Sequence, residues 1–371
     1  MTAGNPPRRF AARVALFAVL LMTAAAAAGE QRTTHGVILL YHHVSDETPA
    51  STSVTPTQFA SHLDFLDRNG YRVWSLERLL AAVLRGVEQV PERVVAITFD
   101  DAYESVFTQA RPRLSERDWP YTVFVNTDAI DAGHSPYMNW DQLRTLADEG
   151  VAIENHSAAH GHMSRPAEGE SRSAWLSRVE RDIARARARI ADEIGREPTL
   201  FAYPYGEDSD ALARLVGSKH AFGLAQRSGP VGALSDPMSV PRFPMATGFA
   251  SLERLELAVR SRPLPVTAVD EIADEKGREG DLRTIALTVG NTTDMTTEEP
   301  AFRVGQLNCF AASGRRLDVS TEGDGPFVVR VDVEGAGVPG RNKINCTAPA
   351  ADGSGDFFWY SRQWLVGRSG D

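Results

Sequence analysis

The sequence predicts an α/β fold with parallel strands, followed by a smaller all-β domain, and three observations predict it. Apolar runs at 37–41, 93–99, 121–125, 151–154, 199–203 and 221–225 alternate with helical segments, the pattern of a parallel β/α architecture. Beyond Pro263 and Pro265 the character changes to short alternating segments split by Gly and Asn. Residues able to do chemistry gather where the strand-like runs end, the edge at which β/α folds collect their functional groups.

In chain order, Arg8, Arg9 and Arg13 precede the apolar run Val14–Met22 and an alanine tract, the tripartite pattern of a secretory signal peptide over residues 1–28. Cleavage after Ala28 fits the small-x-small rule. The apolar run is short for a membrane span and no Cys follows it to carry a lipid, so an exported protein without stable membrane insertion is expected, periplasmic or secreted.

Residues 35–262 hold the β/α pattern. Val37–Tyr41 is an apolar strand that ends in His42-His43, and Val94–Phe99 is one that ends in Asp100-Asp101. On an extended strand adjacent side chains point in opposite directions, so one carboxylate can bind a metal while its neighbour stays free as a base, and only one of the two imidazoles can enter a site. The apolar stretch Val151–Ile153 leads into Glu154-Asn155-His156-Ser157-Ala158-Ala159-His160. The clearest helix spans 172–195: Trp175, Val179, Ile183, Ile190 and Ile194 share a face, and Gly195 with Pro198 ends it. A further apolar stretch leads into Phe201-Ala202-Tyr203-Pro204-Tyr205-Gly206, where Pro and Gly force a tight loop whose backbone amides can face a ligand. Trp140 reads as core packing, and His35 and His162 as loop residues.

The stretch 263–281 reads as a linker and 282–371 as a β-sandwich, with strands such as Thr284–Val289 and Phe327–Val333. Its aromatic cluster, Phe357 to Tyr360 with Trp364, alternates as core packing does. Both cysteines, Cys309 and Cys346, lie there. In an oxidising compartment they are expected to pair, closing a loop that stabilises the domain by on the order of 3–4 kcal/mol.

Taken together, Thr98-Phe99-Asp100-Asp101, His156-x-x-x-His160 and Tyr203-Pro204-Tyr205-Gly206 resemble, in order and spacing, the polysaccharide deacetylases of carbohydrate esterase family 4. The resemblance implies a distorted (β/α) barrel of about seven strands, a count that periodicity alone does not give. It implies a divalent metal, Zn2+ before cobalt, nickel or iron, on Asp101, His156 and His160, with Asp100 as the base. The N–H of Tyr205 would face the oxyanion. In most members a Leu-x-His near the end of the catalytic domain supplies the acid, and residues 240–275 hold none. Leu40-Tyr41-His42 at the N-terminal end looks like that motif moved, an order similar to the poly-β-1,6-N-acetylglucosamine deacetylases. His42 is thus the candidate acid, with His43 the competitor. Two further departures are Ala102 after the acidic pair, where many members have Gly, and Ala202, where many have the Arg that orients the base. Arg242 is the candidate replacement for that Arg.

The formal charge is −10; residues 1–28 hold three Arg and no acid, so their loss leaves −13. Such a surface disfavours nucleic acid. The expected substrate is a polysaccharide containing N-acetylglucosamine. Two other readings stand beside deacetylation: a non-catalytic glycan-binding protein on the same fold, and a hydrolase of another small amide or ester.

Overall fold

The computed structural model describes residues 1–2, 32–33, 35–246, 248–274, 281–290 and 300–367. The chain divides into Met1–Gln31 and Arg32–Asp371, and everything below concerns the second unit. The expected signal segment lies outside the described residues, except for its first two. Among the described residues no helix is long and apolar enough to cross a membrane.

Seven parallel strands build the first half: β1 (His35–Tyr41), β2 (Val94–Phe99), β3 (Thr122–Val125), β4 (Ala152–Asn155), β5 (Leu200–Ala202), β6 (Phe222–Leu224) and β7 (Phe243–Pro244). They run in the order β6-β5-β4-β3-β2-β1 with β7 on the far side of β1. A parallel bridge from Leu224 to Val240 joins β6 to the approach of β7, which itself pairs Phe243 with Leu39 of β1, so the sheet curls round on itself. β7 is only two residues long, which is why no apolar run in the sequence announces it. β2 is buried at every position, as expected of a strand covered on both faces.

Alternation along the strands sorts the core into layers. Leu39, Tyr41, Ile97, Phe99 and Val123 pack outward against α1 (Pro56–Arg68), α3 (Trp140–Asp148) and α6 (Leu252–Val259). Ile38, Ala96, Phe124, Ala202 and Leu224 turn the other way and cluster with Leu79, Leu80 and Val83 of α2 (Leu76–Arg85). Gly36 leaves room there for Leu79, whose Cδ1 would stand 2.6 Å from a Cβ and would have to shift. α4 (Arg172–Ile194) begins at a Ser171 cap and ends at Gly195, whose φ of 76° is the left-handed stop that glycine adopts without strain. Trp175, Val179 and Ile183 of α4 cover Phe201 and Tyr203, together with α5 (Asp210–Gly217). His35 opens β1 instead of lying in a loop, and its pKa is pushed down to about 4, chiefly by burial.

The second half is a two-sheet sandwich. One sheet runs β8 (Val266–Ala273), β9 (Leu282–Val289), β13 (Phe327–Asp332), β12 (Val319–Glu322). The other runs from the two-residue strand Arg262–Pro263 through β15 (Phe357–Val366), β14 (Gly340–Pro349) and β10 (Asn308–Ala311) to β11 (Arg316–Leu317). The stretch 263–281 is therefore more than a linker: β8 is a full strand of the sandwich, paired along its length with β9. Its mostly exposed outer face and its charged residues hide it from an apolar-run search. Cys309 and Cys346 sit opposite each other on β10 and β14 and form a disulfide. In the aromatic cluster, Phe358 and Trp364 are buried in the sandwich core, whereas Trp359 faces the barrel and meets Phe243 edge-on at 5.3 Å.

Candidate active site

At the C-terminal ends of β2, β4 and β5, and just past β1, the sequence places its candidate residues within one cluster. β2 ends at Phe99, and the two carboxylates part company through a left-handed turn (Asp101 φ 72°, Ala102 φ 58°), which replaces the strand alternation expected from sequence. A non-glycine residue with positive φ is uncommon, and of the seven in the described structure five are Asp101, Ala102, Ser157, His160 and Tyr205. Backbone strain of this kind concentrates where geometry serves function.

Asp100 is buried and receives a two-pronged guanidinium: Arg242 Nη1 donates to Oδ1 at 2.7 Å and Nη2 to Oδ2 at 2.8 Å. Arg242 has no exposed surface, which rules out a surface role. Its Nε donates to Ala225 O at 3.0 Å, and its plane lies over Phe124. Burial pushes the Asp100 carboxyl up, but Arg242, and after it His156, outweigh burial and hold it below the usual carboxylate range. The planar fork presets both carboxylate oxygens.

Asp101, His156 and His160 bring one ligand atom each to within 4.8 Å of one another. His160 Nε2 lies 3.2 Å and His156 Nε2 3.5 Å from Asp101 Oδ1. That oxygen is buried and accepts no hydrogen bond among the described residues. His156 Nδ1–H donates to Ala202 O at 2.8 Å, a carbonyl that can only accept, so the lone pair is left on Nε2 and faces Asp101. An orphaned buried carboxylate oxygen beside two imidazole nitrogens is a donor set that a divalent cation fits. Burial takes the His156 pKa down to about 4, keeping the ring neutral, as a ligand must be. His160 is held above its usual value by Asp101 against the opposing effect of burial.

The loop between the imidazoles is pinned from beneath. Asp182 of α4 accepts from the N–H groups of Ala158 and Ala159 at 2.9 and 3.1 Å, Ser157 Oγ accepts from His160 N–H, and Asn155 Oδ1 accepts from Ser157 N–H. The side chain of Glu154 points away: it accepts from Arg196 and from the N–H groups of Thr199 and Leu200, and burial raises its pKa to about 7.

His42 is half-buried and close enough to both carboxylates for its charge to lower their pKa values. His43 stacks on Tyr103 with ring centroids 3.5 Å apart, and burial and the neighbouring His42 push its pKa down to about 4 against the pull of Asp101. Tyr205, 43% exposed, lies edge-on to His160 and stacks on His162 at 4.2 Å. His162 is thus no idle loop residue, and its Nδ1 lies 3.0 Å from Oε2 of the buried Glu207. Sequence reading also missed Tyr103, whose ring stacks between His43 and Tyr137 and lies near enough to Asp101 for that carboxylate to raise its pKa, after burial. Its place two residues after Asp101 is the available signal. Trp140 is half-buried against the outer core and donates to Asp131 at 2.7 Å. A separate cavity of about 230 Å³ lies at the seam of barrel and sandwich, lined by Arg227, Pro241, Thr267 and Trp359 among others, away from the carboxylates.

Comparison with known proteins agrees with this geometry. Residues 88–222 match the family model of polysaccharide deacetylases. The chain is 26% identical over 187 residues to YxkH of Bacillus subtilis, covering 50% of this chain and 62% of that protein. It is 24% identical over 200 residues to the poly-β-1,6-N-acetyl-D-glucosamine N-deacetylase of Staphylococcus aureus, covering 52% and 67%. The chain thus spans about three fifths to two thirds of the length of these relatives. Among solved structures, the Streptococcus pyogenes deacetylase PplD superposes with a TM-score of 0.54 at 21% identity over 61% of this chain and 98% of that one. IcaB from Ammonifex degensii gives 0.51 at 22% identity over 59% and 95%. These likenesses are of fold. The stretch 88–222 contains Asp100, Asp101, His156, His160 and Tyr205 and leaves out His42 and Arg242. Through that stretch, with the sheet and the carboxylate–imidazole cluster it carries, the chain is similar to the polysaccharide deacetylases.

Proposed function

We propose that the protein is a metal-dependent hydrolase that removes N-acetyl groups from a polysaccharide containing N-acetylglucosamine at the cell envelope. The observation that carries this reading is the juxtaposition of the Asp101–His156–His160 triad with a separate carboxylate, Asp100, fixed by Arg242. A divalent ion on the triad, Zn2+ by the mixed N/O donor set, would polarise the acetamide carbonyl and acidify water. Asp100 takes a proton from the attacking water; each of its oxygens keeps a lone pair beyond the bond to Arg242. The N–H of Tyr205, which donates to no group among the described residues, is free to meet the developing oxyanion. His42 gives a proton to the departing amine. The exposed Tyr205 ring offers an apolar face to a sugar beside the reacting centre.

The N-terminal residues support export to the periplasm or beyond, and the acidic balance does not suit nucleic acid. The β-1,6-linked polymer is the first choice of substrate, because the named Staphylococcus aureus relative acts on it.

The test is acetate release from N-acetylglucosamine oligomers of β-1,6 and β-1,4 linkage by the purified protein, before and after chelation and on restoring metal. Release that stops with chelation and returns with metal is expected, faster on the β-1,6 series. Metal uptake with no release from either series would turn the assignment toward a glycan-binding protein or another acyl substrate.

A further inference from the structure

The loop after β5 is held from both sides. Within the barrel, Gly206 N–H donates to Tyr203 O at 2.8 Å and Tyr203 Oη–H donates to Met238 O at 2.7 Å. From outside come two residues of the sandwich. Arg341 Nη1, on β14, donates to Tyr205 O and also to Gln226 O. Gln363 Nε2, on β15, donates to Gly206 O at 2.8 Å and to Asp208. Register places Asn345 opposite Ser361 and Lys343 opposite Gln363, so these side chains and Arg341 share the face of β14 and β15 turned to the barrel. The bonding is reciprocal, since Arg227, in the loop after β6, donates to Ser361 O at 2.9 Å.

What is held is a turn with a strained backbone, bonded within itself only by Gly206 N–H to Tyr203 O and Glu207 N–H to Pro204 O. Tyr205 (φ 59°) and Gly206 (φ 65°) are two successive left-handed residues, and the first carries a bulky side chain that disfavours that region. The turn is also tightly enclosed: a Cβ on Gly206 would stand 2.2 Å from Gln226 Cβ and 2.7 Å from Arg341 Nη1. This conformation keeps the Tyr205 ring against His160 and His162, and the Tyr205 N–H donates to no group among the described residues.

We infer that the β-sandwich is part of the catalytic apparatus: Arg341 and Gln363 are positioning residues that clamp the Tyr205–Gly206 turn in its left-handed form. The inference rests on the deacetylase reading for its kinetic consequence, though the clamp itself is a structural statement. Neither residue touches the metal ligands or the reacting atoms. Both are far along the chain from the motifs, and both lie outside the stretch that matches the family model.

The experiment uses the full chain with Arg341→Met, Gln363→Ala and Arg341→Lys, and with Arg330→Ala on the outer sheet as a control for sandwich substitutions in general. Arg341→Met and Gln363→Ala should each lower kcat by about tenfold to a hundredfold, the scale of a small misplacement near reacting atoms, with KM and metal affinity near wild type. Arg341→Lys should restore part of the loss, and Arg330→Ala should behave as wild type. Amide hydrogen exchange should quicken at 203–208 in Arg341→Met while β4 stays protected. Wild-type kcat in both loop variants, or unaltered exchange at 203–208, would overturn the clamp. So would a loss of rate that comes only with loss of metal and of global stability. If the wild-type protein released no acetate, the deacetylase reading would fail while the exchange measurement still decided the clamp.

Discussion

Replacing Arg242 by Met keeps most of the side-chain volume and removes the one formal positive charge bonded to Asp100 among the described residues. The arginine is wholly buried and Asp100 is 2% exposed, so bulk solvent does not replace the two lost bonds. Breaking a buried ion pair from one side costs about 3–5 kcal/mol, because the remaining charge stays desolvated. For a chain of this length each kcal/mol moves the melting temperature by roughly 2–4 °C, so a fall on the order of 10 °C is expected. Arg242→Lys should fall between, since a single ammonium cannot serve Oδ1 and Oδ2 together in the planar fork. The double variant Arg242→Met, Asp100→Leu leaves no charge stranded and should recover most of the stability while staying inactive. Denaturant unfolding measures the first effect and acetate release the second. A single Arg242→Met variant within about 1 kcal/mol of wild type, or a double variant less stable than the single, would refute the view that Arg242 exists to hold a buried carboxylate.

Four further outcomes are expected. Asp101→Ala or His160→Ala should lose tight metal binding and activity together, which equilibrium dialysis and acetate release measure side by side; full activity in either would break the ligand assignment. His42→Ala should lower kcat by roughly 10²–10⁴-fold with the metal retained, and a wild-type rate would send the search for the acid to His43. Cys309→Ala with Cys346→Ala should cost about 3–4 kcal/mol in unfolding free energy, from a pair 37 residues apart in sequence, and an unchanged midpoint would show that the sandwich does not need the cross-link. His220 is buried with its pKa pushed down to about 4, chiefly by burial, while an unfolded His takes a proton near its ordinary 6.5. The unfolded chain therefore binds the extra proton first, and stability is lost as pH falls from about 6.5 toward 4, by roughly 1.4 kcal/mol per unit; His220→Gln should flatten the unfolding curve by that one proton.

The strands β1 to β6 are legible because each is largely buried and carries at least a short apolar stretch, longest in β1 and β2. β7 is not, since two residues carry no periodicity, and its existence shows only through its pairing with β1. β8 escaped for the opposite reason: six of its eight residues are exposed, and Asp270 and Glu271 break its apolar pattern, so it gives no apolar run. The candidate metal triad is legible because its ligand types and spacing lie within two short motifs. The Arg242–Asp100 pair spans 142 residues, and no local pattern distinguishes a buried arginine from a surface one. The same holds for Arg341 and Gln363, whose partners lie 136 and 157 residues away.

The position of His42 and Arg242 outside the matched stretch has a geometric explanation in the closing of the sheet. β1 and β7 are neighbours, paired in parallel at Phe243 and Leu39, so the first and last strands of the barrel lie side by side. A functional group carried at the end of one lies close to the same place if it is carried at the end of the other, whatever its order along the chain. His42 follows β1 and Arg242 precedes Phe243 of β7, and both act on the carboxylates at the end of β2, the strand on the other side of β1. Moving an acid-bearing segment from one end of the domain to the other therefore leaves the chemistry where it was, provided the strand that carries it keeps its seat beside β2. Ala202 fits the same logic: with Arg242 reaching Asp100 across the barrel interior, the position after Phe201 needs no guanidinium, and its carbonyl is left to orient His156.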